Sequence, residues 1–239
     1  MIPGSLADVL RALLLWAPLG LLWSYGCLSF AGHLKVSARL KTGYTRKIFH
    51  VLIFLSAATV QAVGGFAAVC LFGTMVTLVV GYALLCGPGS RLYEAIGREQ
   101  DGPYRSYFVV IPYFATLIGG LASNVFFGPL AVVGYLVGGL GDAAGEPVGT
   151  RWGRRHYAIG RAMNAKTLEG SLAVLAVSLV ALFISVAITP ELHFDLQSVI
   201  ALPVIAIICA LVEALSPRGW DNVPMQIVPT MLVALLLSR

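Results

Sequence analysis

Charge is what this chain has least of. Only 11% of its residues are Asp, Glu, Lys or Arg, against about 25% in an ordinary soluble domain. That shortage argues against a water-soluble globular protein. The four cysteines, Cys27, Cys70, Cys86 and Cys209, all lie in apolar stretches and form no Cys-x-x-Cys pair. A disulfide framework or thiolate metal site is therefore not expected, and they read as small core residues. The G-x-x-x-x-G-K-[ST] phosphate loop is missing, and so is any internal repeat of the kind many transporters carry. Polar groups in the middle of the apolar runs are few.

Hydrophobic sequence is abundant. It makes up 58% of the 239 residues, in blocks of the length that carries a helix across about 30 Å of hydrocarbon. The expectation is an all-α, polytopic membrane helix bundle forming a single domain over residues 1–239. About eight spans are predicted: Leu6–Phe30, Ile48–Val63, Gly65–Cys86, Tyr107–Leu121, Val125–Leu140, Ser171–Thr189, Ser198–Leu215 and Val223–Leu237. Ala122-Ser123-Asn124 is the expected joint between the fourth and fifth spans, as a tight hairpin or one re-entrant element. Asp8 ahead of the first run and the length of that run favour a retained span over a cleaved leader.

The basic residues test this count. Of the 16 Lys and Arg residues, all but Arg11 and Arg239 fall in the odd-numbered loops. That asymmetry puts those loops in the cytoplasm and both termini on the other side. It also accounts for the net charge of +5 without nucleic acid. Glu191, His193 and Asp195 then form a solvated turn on the far side. The loop from Gly87 to Ser106 reads as a solvated interfacial helix or lid.

Four polar constellations share the cytoplasmic loops. Arg46 and Lys47 lie four and three positions before His50, on one helical face. They suit either snorkelling cations with a core histidine or a phosphate-holding patch with a proton carrier. Gly141, Gly145, Gly149 and Gly153 recur every four residues, a bare ridge for close approach of another helix. Asp142 and Glu146 share the next ridge, as oxygen ligands for one hard cation would. Pro147 has no N–H and frees the Ala143 carbonyl. Lys166-Thr167-Leu168-Glu169-Gly170-Ser171 opens the sixth span, where unpaired amides and the helix dipole attract phosphate. Glu213 and the turn Pro217-Arg218-Gly219-Trp220-Asp221-Asn222 join the last two spans. A carboxylate at the end of an apolar span needs a partner, and Arg218 or a metal is expected. Asp221 also suits a helix cap.

In this order, Arg46-Lys47-x-x-His50, Gly141-Asp142-Ala143 with Gly149 and Gly153, Lys166-Thr167-x-Glu169-Gly170-Ser171, and Glu213 with Asp221-Asn222 resemble the polyprenol kinase family. That family includes dolichol kinase, phytol kinase and the CTP-dependent diacylglycerol kinase. The resemblance runs from about Arg46 to Pro229. It implies a multi-span enzyme that phosphorylates a lipid alcohol with CTP and a divalent metal, Mg²⁺ foremost. The site would face the cytoplasm, in a prokaryotic cell membrane or an organellar one. On this reading Asp142, Lys166, His50 and Asp221 are catalytic candidates. Arg46, Lys47, Gly141, Gly149, Lys166, Thr167, Glu169, Gly170, Ser171 and Asn222 would hold the nucleotide. Asp142, Glu146, Glu213 and Asp221 would hold the metal. The general base stays open among Asp142, Asp221 and His50. A cytidylyltransferase acting on phosphatidate, and a transporter or scaffold, are the competing expectations.

Overall fold

The computed structural model describes the backbone of residues 6–158, 166–189 and 196–238. Arg161 and the turn residues Glu191, His193 and Asp195 lie outside the described residues. Among the described residues the chain is all-α apart from one ribbon of two two-residue strands, and it divides into two compact units, Met1–Ser106 and Tyr107–Arg239.

The first unit holds α1 (Leu6–Ser37), α2 (Thr42–Cys86) and the short α3 (Arg91–Ile96). A continuous helix of 45 residues would run roughly 68 Å at 1.5 Å per residue, about twice the hydrocarbon core. Gly65 interrupts it with φ 70 and ψ −165, a conformation open to glycine and strained for other residues. The interruption falls where the sequence separates the second and third spans.

The loop after α2 departs from the solvated helix expected of it. Leu92, Tyr93, Ala95 and Ile96 are buried. Ser90 caps α3 by accepting from the Tyr93 amide at 3.2 Å. Arg105 then grips Glu94 with two bonds, Nη1 to Oε1 at 3.1 Å and Nη2 to Oε2 at 2.7 Å. Its guanidinium also lies 5.0 Å from the centroid of the Tyr93 ring. Lys35 at the end of α1 donates to Glu99 and to Thr42. These charges tie α1, α2 and α3 together at one end of the unit. Arg98, paired with Asp101, and Arg105 are engaged because the loop supplies its own carboxylates, while Arg91 is exposed.

The second unit begins with α4 (Tyr107–Phe127) and a 3-10 turn at Gly128–Leu130, followed by α5 (Ala131–Leu136). The joint is therefore at Gly128, where φ is 55, and not at Ala122-Ser123-Asn124. Ser123 and Asn124 are polar but buried inside α4, so polarity alone misplaces the turn. A widened π turn, Val137–Gly141, connects α5 to α6 (Asp142–Trp152). The ribbon strands β1 (His156–Tyr157) and β2 (Lys166–Thr167) are antiparallel, His156 opposite Thr167 and Tyr157 opposite Lys166. Then come α7 (Leu168–Ile188), α8 (Leu196–Leu215) and α9 (Asn222–Leu237).

Three helical stretches among the described residues are long and apolar enough to cross a membrane: Thr42–Cys86, Tyr107–Trp152 and Leu168–Ile188. Val199–Leu215 and Asn222–Leu237 are shorter apolar helices. On α8, Leu202, Ile205, Ala206 and Cys209 are buried while Ile200, Val204, Ile207 and Leu211 are exposed. A helix apolar on its inward and outward faces alike is what lipid contact requires.

Candidate functional site

The glycine ridge of α6 fixes where the site residues go. A Cβ on Gly145 would lie 3.0 Å from Val174 on α7, and one on Gly149 would lie 2.6 Å from Thr167 Oγ1. From the α7 side, a Cβ on Gly170 would meet the Gly145 carbonyl at 2.9 Å. Real Cβ atoms do not approach backbone or packed side chains so closely. The row of small residues therefore lets α6 and α7 pack backbone to backbone, antiparallel, as its four-residue spacing leads one to expect.

This packing sets the start of α7. Thr167 is buried and caps the helix, its hydroxyl accepting from the Gly170 amide at 3.1 Å. Glu169 accepts from the amides of Arg154 at 3.1 Å and Arg155 at 3.3 Å, holding the chain after α6 against the first turn of α7. Ser171 shares a hydrogen bond with the Tyr157 hydroxyl. Thr167, Glu169 and Ser171 thus brace the segment that carries Lys166.

Lys166 extends from β2 to the end of α8. Its Nζ is 2.7 Å from Glu213 Oε1, and it also donates to the Glu213 main-chain carbonyl. Arg218 or a metal is the partner the sequence leads one to expect beside Glu213. The structure supplies Lys166, 47 positions away in sequence, and places the Arg218 guanidinium 4.1 Å from the centroid of the Phe108 ring.

Three carboxylates meet at this point. One oxygen each from Asp142, Glu213 and Asp221 lies within 4.8 Å of the others. They come from the first residue of α6, the last turn of α8 and the cap of α9. Asp142 is 4% exposed, delivered by the π turn, a widened helical turn often found at functional sites. Asp221 accepts from the Asn222 amide at 3.1 Å. Two ligands opposite each other on one cation are about 4.2 Å apart for Mg²⁺ and about 4.8 Å apart at a Ca²⁺-like 2.4 Å bond length. Three carboxylate oxygens gathered this closely, from three different helices, are a set that could hold a hard divalent ion once drawn somewhat closer together. Glu146, one turn beyond Asp142 on α6, is not a member of the triad.

Arg46, Lys47 and His50 occupy the first turns of α2, half-buried within the first unit. The His50 ring stacks on Phe54 with centroids 4.3 Å apart. Gly141 opposes Ser178 on α7. The Asn222 side chain donates to the Pro112 carbonyl at 3.1 Å and to Thr116 Oγ1 at 2.8 Å, so it anchors α9 on α4.

Sequence reasoning missed several polar residues inside the second unit. Ser123, Asn124, Gln226 and Thr230 are all buried, and Tyr135 joins them by accepting from Asn124 Nδ2 at 2.8 Å. The signal was there: Asn222, Gln226 and Thr230 recur every four residues along α9. Asn222 was noticed with Asp221, but Gln226 and Thr230 were overlooked because each is isolated in apolar surroundings. In comparisons with known protein families, with curated proteins and with solved structures, the chain finds no match.

Proposed function

We propose that this chain is a multi-pass membrane phosphotransferase that moves the terminal phosphoryl group of CTP to the hydroxyl of a lipid alcohol. In this reading it crosses the bilayer eight times, with both termini on the non-cytoplasmic side and the triad facing the cytoplasm. One observation carries the proposal: Asp142, Glu213 and Asp221 converge, with Lys166 held on Glu213. The resemblance to the polyprenol kinases supplies the substrate class.

The chemistry a divalent ion would supply here is positive charge to offset that of the phosphates during transfer. Asp142, Glu213 and Asp221 would hold the ion. Lys166 supplies a point charge at the edge of the triad, where a phosphate would lie. The Gly145–Gly149 ridge and the Thr167 cap keep β2 and the start of α7 rigid, which limits Lys166 to one approach. As the new O–P bond forms on the lipid oxygen, the bond to the CDP leaving group breaks. The hydroxyl proton passes to a cluster carboxylate, Asp142 or Asp221. The resemblance alone assigns Arg46, Lys47 and His50 to nucleotide binding, and their substitution is a separate test.

The direct test is transfer in membranes by Asp142→Asn and Lys166→Ala, with CTP and a lipid alcohol. Both lose transfer on this reading, and near-normal transfer by both would remove it. A transporter reading is favoured by one observation, the buried carboxamides Asn124 and Gln226 within an otherwise apolar unit. Substrate flux without nucleotide turnover would establish it. Pyrophosphate release in place of CDP would indicate a cytidylyltransferase.

A further inference from the structure

Asn124, Asn222 and Gln226 are 5%, 4% and 0% exposed. The nitrogen of each side-chain amide is fully engaged. Asn222 Nδ2 donates to Pro112 O and Thr116 Oγ1. Gln226 Nε2 donates to Thr116 O at 3.1 Å and Asn222 O at 2.8 Å. Asn124 Nδ2 donates to Gly120 O at 2.9 Å and to the Tyr135 hydroxyl. Each amide therefore faces at least one main-chain carbonyl, which only accepts. Turning any of them over would set oxygen against oxygen, so the orientations are chemically fixed.

The opposite ends are left over. Asn124 Oδ1, Asn222 Oδ1 and Gln226 Oε1, with Ser123 Oγ, are buried and have no hydrogen-bond partner among the described residues. Buried carboxamide oxygens in a native fold almost always find a donor. Ser178 Oγ on α7 and Thr189 Oγ1 just after it are also unpaired in this unit, but these four form a pattern, since their residues are neighbours on α4 and α9. Asn222 and Gln226 are one turn apart on α9 and both rest on α4. Gly120 and Asn124 are one turn apart on α4. A Cβ on Gly120 would lie 3.1 Å from the Tyr135 hydroxyl and 3.3 Å from Gln226 Oε1, so the bare face of Gly120 borders both.

We propose that this seam between α4, α5 and α9 binds hydroxyl donors, with the three carboxamide oxygens as acceptors. The donor is ordered water or the hydroxyl of a lipid alcohol, which present the same O–H to the same oxygens. A single cation is the poorer occupant. Asn222 and Gln226 are separated by about 6 Å of helical rise, and Asn124 sits on another helix beyond Gly120, whereas one ion needs its ligands gathered around a point. The seam begins at Asn222, the residue next in sequence to Asp221 of the acidic triad. It does not depend on the kinase reading: water binding stands even if no nucleotide is turned over.

The test is a density map of the full chain in detergent at a resolution that shows water, recorded without lipid alcohol and with phytol. The expected result is an ordered oxygen within hydrogen-bond distance of Asn124 Oδ1, Asn222 Oδ1 and Gln226 Oε1. Density present in both maps identifies water. Density continuous with an alkyl chain, in the phytol map only, identifies the alcohol. Gln226→Met, which keeps side-chain length and removes the acceptor, is expected to lose the oxygen at Gln226 and keep the one at Asn124. If that variant does not fold, Ser123→Ala serves as the milder probe. A seam dry at all three oxygens in both maps overturns the proposal.

Discussion

Lys166 Nζ lies 2.7 Å from Glu213 Oε1 and also donates to the Glu213 carbonyl, joining β2 to the last turn of α8. The side chains are 22% and 12% exposed, so the pair is largely shielded from water and only weakly screened. Lys166→Met leaves the carboxylate without this donor, which costs about 1–3 kcal/mol for a buried charged acceptor. The double variant Lys166→Met/Glu213→Gln should recover part of that loss. Thermal unfolding of the two single variants and the double one measures the coupling. Additive losses would mean that the contact contributes nothing to stability. Transfer activity should fall on the order of 10²–10³-fold in Lys166→Met, the effect of removing one donor that stabilises developing charge.

The carboxylate triad should bind a divalent ion apart from any turnover. Ions that bind only the folded state raise stability, by about 1.4 kcal/mol at ten times Kd. Mg²⁺ or Mn²⁺ should therefore shift the unfolding midpoint upward, and EDTA should reverse the shift. Asp142→Asn and Asp221→Asn should abolish the shift, while Glu146→Gln should keep it, because Glu146 is outside the triad. Loss of the shift in Glu146→Gln alone would place the ion elsewhere on α6.

Close packing of α6 on α7 gives a separate outcome. In Gly149→Ala the new methyl meets Thr167 Oγ1 at 2.6 Å, the same oxygen that caps α7. The variant should lose about 1–3 kcal/mol from overpacking, with a drop in activity because Lys166 adjoins Thr167. Gly81→Ala is the control, since its Cβ would meet nothing within 4 Å. Equal stability of the two variants would contradict the packing.

Acid should weaken the first unit through Glu94. The Arg105 guanidinium, bonded to Glu94 through both nitrogens, holds that carboxyl below the ordinary glutamate range. A carboxylate whose pKa is lower folded than unfolded adds stability above the unfolded value. That contribution is lost as pH falls through the folded value. Arg105→Met should flatten the acid limb of a stability-versus-pH curve and leave its neutral plateau lower. An unchanged acid limb would show that Glu94 is not a titrating contributor.

What could be read from the sequence followed its short-range periodicity. The four-residue glycine spacing from Gly141 to Gly153 gave the α6 packing ridge, because helical neighbours are set by local geometry. The break in α2 at Gly65 falls at the boundary drawn between the spans Ile48–Val63 and Gly65–Cys86. Asp142, Glu213 and Asp221 were named together with Glu146 as metal ligands through the family resemblance, but their convergence depends on how α6, α8 and α9 end, which no local pattern encodes. The Lys166–Glu213 pair was illegible because 47 residues separate the partners. Ser123 and Asn124 were misread as a loop joint: their polarity serves the α4 interior, and the turn relies on the positive φ of Gly128.

The central claim is the reaction, and one measurement reaches it directly. Purified protein is incubated with CTP, ATP, GTP or UTP, each against polyprenol, phytol and diacylglycerol, with and without Mg²⁺, and both nucleotide and lipid products are identified. The account expects CDP and a phosphorylated lipid, formed from CTP in preference to the other nucleotides and only with the metal. No nucleotide turnover with any lipid, or pyrophosphate as the released product, would contradict it.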